Sequence, residues 1–184
     1  MVERQPLLEP NNWLRFMAES MRSARLPHAL IGGHAVIAWT LPRQTDDYDF
    51  IVAADRGSIA HFQRSLEAES LRIFRVQDSG SASGPDFLQL RTVDNTFQID
   101  LQTAKTDYQD LIIERAVVDS EYGISVATPE DLIVLKLLAM RSQDQRDIAV
   151  MLEGLDEFDW PYIEHWAEVW DVTTNLRVFR PAPG

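Results

Sequence analysis

The chain has 184 residues, 45% of them hydrophobic, a formal charge of −12 and no cysteine. Disulfides, zinc–thiolate sites, iron–sulfur clusters and cysteine nucleophiles are thereby excluded. The acid excess also removes the global basic field on which non-specific nucleic-acid binding rests, so an RNA substrate needs a local patch or a partner to supply charge.

The length fits one domain with a small helical extension. No apolar run approaches the roughly 18 residues of a spanning helix. The first residues, MVERQPLLEPNNW, are too acidic and polar for a signal peptide, so no membrane association and a cytoplasmic location are expected. Of 17 basic residues only Lys105 and Lys136 are lysines.

Asn11-Asn12 can cap a first helix bearing Trp13, Phe16, Met17 and Met21 at helical spacing. Pro27 ends it, and His28–Ile31 reads as a short buried strand. Gly32-Gly33 makes a turn into a short helix, His34–Thr40. A polar loop, Leu41–Asp46, leads into a strand over Asp47–Ala53. A helix is expected over Gly57–Ser70 and a strand over Leu71–Gln77. Residues 79–85 form the most flexible-looking stretch. Strands over Phe87–Thr92 and Thr96–Gln102 flank a hairpin at Val93-Asp94-Asn95. A helix over Tyr108–Arg115 and a short strand, Ile124–Ala127, follow. Thr128 then caps a helix with Pro129 at its first position. Further helices are expected over 146–152 and 161–170, before a loose tail. The pattern predicts an α/β or α+β core, residues 1–128, a helical extension over 129–170 and a tail over 171–184.

Three groups of residues carry chemistry. Gly32 and Gly33 permit close backbone approach, and at a helix start they can expose N–H groups to an anion. Alone, such a pair fits an ordinary turn. Asp47 and Asp49 lie two apart in a strand and so share a face, where their oxygens suit Mg²⁺. Alone, this pair is usually a solvated strand end. Asp100 shares a strand face with Gln98 and Gln102. If its strand lies beside that of Asp47, three carboxylates can surround two metals about 4 Å apart, with Asp100 as general base. Lys136 interrupts an apolar helical run and either snorkels or meets a phosphate. Asp147 falls near the same face if that helix is continuous, though residues 142–145 can interrupt it. Arg43 and Thr45 precede the acids, where Arg43 can bind an acceptor or phosphates. His34 can contact a nucleotide or be satisfied by backbone. The four histidines show no metal-ligand spacing.

Together, Ile31-Gly32-Gly33, Asp47-Tyr48-Asp49 and Asp100 resemble the nucleotidyltransferase superfamily of the DNA polymerase β type. Arg43-Gln-Thr45-Asp-Asp47-Tyr-Asp49 looks like the variant seen in AbiEii-like bacterial toxins and small antibiotic nucleotidyltransferases. The segment from Thr128 through Lys136 to Asp147 is similar to the AbiEii-like helical motif. There a Lys and a later Asp support nucleotide binding, although Arg146-Asp147 departs from that motif's Lys-Asp. The resemblance implies a mixed twisted sheet flanked by helices, two Mg²⁺ ions and an NTP substrate such as ATP. It implies catalytic and metal roles for Asp47, Asp49 and Asp100. Gly32, Gly33, Arg43, Thr45, Lys136 and Asp147 become nucleotide-binding. The expected reaction moves an NMP to an acceptor hydroxyl on a protein, a tRNA or a small molecule, with a cognate toxin or antitoxin as a possible partner. A small-molecule (antibiotic-type) transferase and a catalytically silent module of the same fold are the alternatives.

Overall fold

The computed structural model describes residues 10–67, 71–81, 84–92 and 97–180, and the side chains of residues 10–12 and 67 are not described. The expected hairpin turn at 93–95 lies outside these residues. The elements in chain order are α1 (Pro10–Ser23), β1 (His28–Ile31), α2 (Gly32–Trp39), β2 (Asp47–Val52), α3 (Arg56–Glu67), β3 (Leu71–Gln77), β4 (Phe87–Thr92) and β5 (Gln98–Thr103). They continue with α4 (Asp107–Arg115), β6 (Val117–Val118), β7 (Ser125–Val126), α5 (Pro129–Ala139), α6 (Ser142–Gly154), α7 (Trp160–Val169) and α8 (Thr173–Phe179).

The strands form one seven-stranded mixed sheet in the order β3-β4-β5-β2-β1-β7-β6. At its centre β2 runs parallel to β5 and antiparallel to β1. The alternation read from the sequence decides which face is which. Tyr48, Phe50, Ile99, Leu101, Leu88 and Leu90 are all buried, while Asp49, Asp100 and Gln89 between them remain half-exposed. Phe50 and Phe62 are fully buried, and each contributes roughly 2–3 kcal/mol through burial.

Helix α1 begins at Pro10, so Asn11 and Asn12 fall in its first turn and not ahead of it. Trp13, Met17 and Met21 bury its apolar stripe, as the spacing requires. Residues 173–179 differ from expectation. They form α8, because Val172 and Leu176 bury against the core and Asn175 donates to the Leu137 carbonyl at 2.9 Å. Short β6 is a second difference, since two exposed valines carry no periodic signal.

One hydrophobic cluster runs from Trp13 through the sheet to Leu132, Ile148, Ile163 and Leu176. A buried polar knot joins α4, α5 and α7. Asp131, 0% exposed, accepts from Thr128 (2.7 Å), Arg115 (3.2 Å) and the Tyr162 and Tyr108 hydroxyls. The sequence marks Asp131 only as an acid in a first helical turn. Among the described residues no helix is long and apolar enough to cross a membrane.

Candidate active site

The site lies where β1 turns into α2. Gly32 adopts φ +67°, a left-handed conformation that suits glycine. A Cβ on Gly32 would collide with the Asp49 carboxylate, and one on Gly33 would stand 2.5 Å from Thr45 Oγ1 and 2.9 Å from an Arg43 nitrogen. The glycine pair therefore lets the Asp49 side chain and the 43–45 loop close onto the start of α2. Ile31, at the N-cap, supplies no side-chain cap to that helix. Gly32→Ala should lower stability by about 2 kcal/mol or more, because it adds left-handed strain to a steric clash. A shift in the urea midpoint checks this, and an unshifted midpoint would show that the Asp49 side chain simply yields.

Asp47 and Asp49 project from one face of β2. In the parallel β2–β5 register Asp49 stands opposite Asp100, and Asp47 opposite Gln98. Neighbouring strands lie about 4.8 Å apart, so the third acid of the sequence reading is brought beside the second. Burial, then the Asp100 and Asp47 charges, push the Asp49 carboxyl up to about 7, against the opposing pull of Lys136 and Arg141. Burial and the Asp100 charge also raise Asp47. The donors are all hard oxygens, so their type suits a cation such as Mg²⁺. As the side chains stand, however, no group of three or more acidic or imidazole residues among the described ones is arranged to hold a metal. Asp49 rests against Gly32, while the two Asp100 oxygens accept from Gln89 (3.0 Å) and Gln98 (3.3 Å). Alternation along β5 already puts Gln98 on the face of Asp100, whereas Gln89 is visible only through strand register.

Lys136 and Asp147 do meet, although not along one continuous helix. The helix is not continuous: Met140, at φ 47°, separates α5 from α6. Packing of the two helices across this joint brings Lys136 Nζ within 2.6 Å of Asp147 and 3.3 Å of Asp144. Arg43 reaches the same Asp147 oxygen at 2.8 Å, and Arg141 holds Asp144 at 2.8 Å. Burial works against both carboxylates. For Asp147, hydrogen bonds from Lys136 and Gln143 outweigh it, and for Asp144 the Arg141 hydrogen bond and the Lys136 charge do so, leaving both below the ordinary range. Arg43 and Lys136, expected to meet phosphates, are thus each tied to a carboxylate here. Asp147 is 1% exposed, and its neighbour Arg146 donates to Gln143. His34 stacks on Tyr48 at 3.9 Å. Burial, aided by Arg43, lowers its imidazole to about 4, so it is neutral at pH 7.

Residues 14–178 match the family described as "Nucleotidyltransferase of unknown function (DUF6036)". The chain belongs to this family. No curated protein matches the DUF6036 chain in sequence. Among solved structures it is similar to an antigenic nucleotidyltransferase-like protein from Paracoccidioides brasiliensis, at 20% identity and a TM-score of 0.59, covering 93% of this chain and 88% of that one. It is also similar to ANT(2'')-Ia in complex with adenylyl-2''-tobramycin, at 13% identity and a TM-score of 0.61, covering 89% of this chain and 98% of that one. A third is the lincomycin-bound lincosamide antibiotic adenylyltransferase LnuA, at 15% identity and a TM-score of 0.54, covering 80% and 98%. At such identities the likeness is one of fold, and this DUF6036 chain has the mixed-sheet fold of nucleotidyltransferases.

Proposed function

We propose that this chain transfers an NMP from an NTP to an acceptor hydroxyl, with Mg²⁺ held by Asp47, Asp49 and Asp100. The reading rests on one observation above the others: Asp49 and Asp100 are register partners on adjacent parallel strands, directly beside the start of α2. Burial, together with the neighbouring Asp100 and Asp47 charges, pushes Asp49 up to about 7, and a divalent cation would offset that cost. When bound, the metal would stabilise charge on the attacking and leaving oxygens.

The chain's own groups would do the rest. The first N–H groups of α2 would face the triphosphate. Asp100, once released by Gln89 and Gln98, would take the acceptor's proton. The acceptor oxygen would then bond to the α-phosphorus as the bond to the bridging oxygen breaks, and pyrophosphate would leave. Lys136 and Arg43 would hold the loop through Asp147, and either could exchange that carboxylate for a phosphate.

A small cationic acceptor is the second reading, favoured by the charge of −12 and by structural relatives named as antibiotic adenylyltransferases. The AbiEii-like reading adds a toxin–antitoxin partner and includes a protein or tRNA as acceptor. Incubation with labelled NTPs, Mg²⁺ and cell extract, beside Asp47→Ala/Asp49→Ala, separates them. Label is expected in one fraction, whether RNA, protein or small molecule, and only with the intact acids and metal. No transfer together with no Mg²⁺-dependent NTP binding would leave a silent module of the same fold.

A further inference from the structure

The strand register extends the row of site residues to the edge of the sheet. Asp49 stands opposite Asp100, Asp100 opposite Gln89, and Gln89 opposite Arg75. In the next row Asp47, Gln98, Arg91 and Arg72 follow one another. Register partners share a face. The face therefore grades from carboxylates on β2 and β5, through glutamines, to arginines on β3 and β4. A register shift between Ile73 and Arg75 brings Phe74 to this rim as well, where the Arg91 guanidinium lies 3.8 Å over its ring. Phe74 remains 61% exposed.

The rim is short of negative charge. Arg72 and Arg91 are direct cross-strand neighbours, a pairing of like charges that costs stability. Among the described residues none of Arg72, Arg75 and Arg91 has a carboxylate within ion-pair distance. Arg91 Nε is buried without a hydrogen-bond partner. Edge strands do carry charges and bulges against unwanted pairing. That role requires neither an exposed aromatic ring nor alignment with the acids.

We infer that Arg72, Phe74, Arg75 and Arg91 form the acceptor platform of this site, and that its occupant is the single-stranded 3′-hydroxyl end of a polynucleotide. The inference rests on the transfer reading. A hydroxyl at Asp100 lies two strands, about 10 Å, from the backbone of Arg75, so a phosphate on the rim and a reacting hydroxyl at the acid can belong to adjoining units of one strand. Guanidinium groups track the phosphates, and an exposed ring stacks a base without sequence preference. The rim supplies the local basic patch that an otherwise acidic chain needs in order to hold RNA.

The test is fluorescence anisotropy of a 5′-fluorescein-labelled ten-nucleotide oligo(A) RNA with the full chain. Variants are Arg72→Ala/Arg75→Ala, Phe74→Ala and Asp47→Asn/Asp49→Asn, each checked for folding by circular dichroism. The arginine pair should weaken binding at least tenfold and reduce the salt slope by about 1.4, at about 0.7 per phosphate contact for single strands. Phe74→Ala should weaken binding severalfold, and the aspartate variant should bind at least as well as wild type while losing transfer. Mg²⁺–NTP binding should survive the arginine changes, which separates failure of the platform from failure of the transfer reading. Equal RNA binding by wild type and the arginine variant would overturn the inference. So would binding of AMP but not of the oligonucleotide, or a cationic small molecule accepting label where RNA does not.

Discussion

Asp49→Asn should abolish nucleotidyl transfer and make the metal-free protein more stable. The expected loss of rate is at least about 10²–10³-fold, the scale on which removing one electrostatic group acts. The gain in stability follows from the raised carboxyl, pushed up to about 7 by burial and by Asp100 and Asp47. In the unfolded chain this group titrates near 3.9. Between those values the native state binds more protons than the unfolded one, so stability falls as pH rises through that window. Three units correspond to about 4 kcal/mol, and partial exposure reduces the expectation to about 2 kcal/mol. Melting curves in EDTA should put the variant about 4–8 °C above wild type at pH 8, with the difference vanishing near pH 4. Mg²⁺ should raise the wild-type midpoint and close the gap. Identical pH profiles for the two proteins would mean that Asp49 carries no such burden.

Lys136→Ala has the opposite sign. Lys136 is 6% exposed, and its ammonium faces two carboxylates on residues that are more buried still. Removing one partner of a buried pair leaves uncompensated charge, at a cost of about 3–5 kcal/mol. Arg43 and Arg141 retain one carboxylate each, which places the expectation near 3 kcal/mol, or roughly 6–12 °C in Tm. Lys136→Met combined with Asp144→Asn and Asp147→Asn should recover most of that loss, because a well-packed neutral replacement is often no worse than the ion pair. Urea titration of the single and combined variants is the measurement. A single-variant cost below about 1 kcal/mol would show that the two arginines suffice without the lysine.

The fold was legible wherever residues repeat with a period. The bounds of β3 and β4 coincide with the expected ones, and the period of two in Phe97–Gln102 separated Ile99 and Leu101 from Asp100. That same period put Asp47 and Asp49 on one face. Which strand lies beside β2 is a non-local fact, so the pairing of Asp49 with Asp100 entered the sequence reading only as a condition. Lys136 and Asp147 share a face in the sequence only on condition that one helix runs through residues 142–145; the helix breaks at left-handed Met140, and helix packing brings them together instead. Asp144 went unread because it looked like an interruption. The role of Asp131 is hidden in the sequence because its partners lie on two other helices, Tyr108 and Arg115 on α4 and Tyr162 on α7. The basic rim went unread because net charge averages away a local row.

The tie between Arg43 and Asp147 spans 104 positions of the chain. On the ribosome, Asp47, Asp49 and Asp100 emerge well before α6 is made. The strands that carry them can pair early, but the loop that delivers Thr45 gains its anchor only once α6 has been made. The nascent chain therefore completes its sheet before it can assemble its site, and a stalled or truncated product would display the acids without the clasp that orders them.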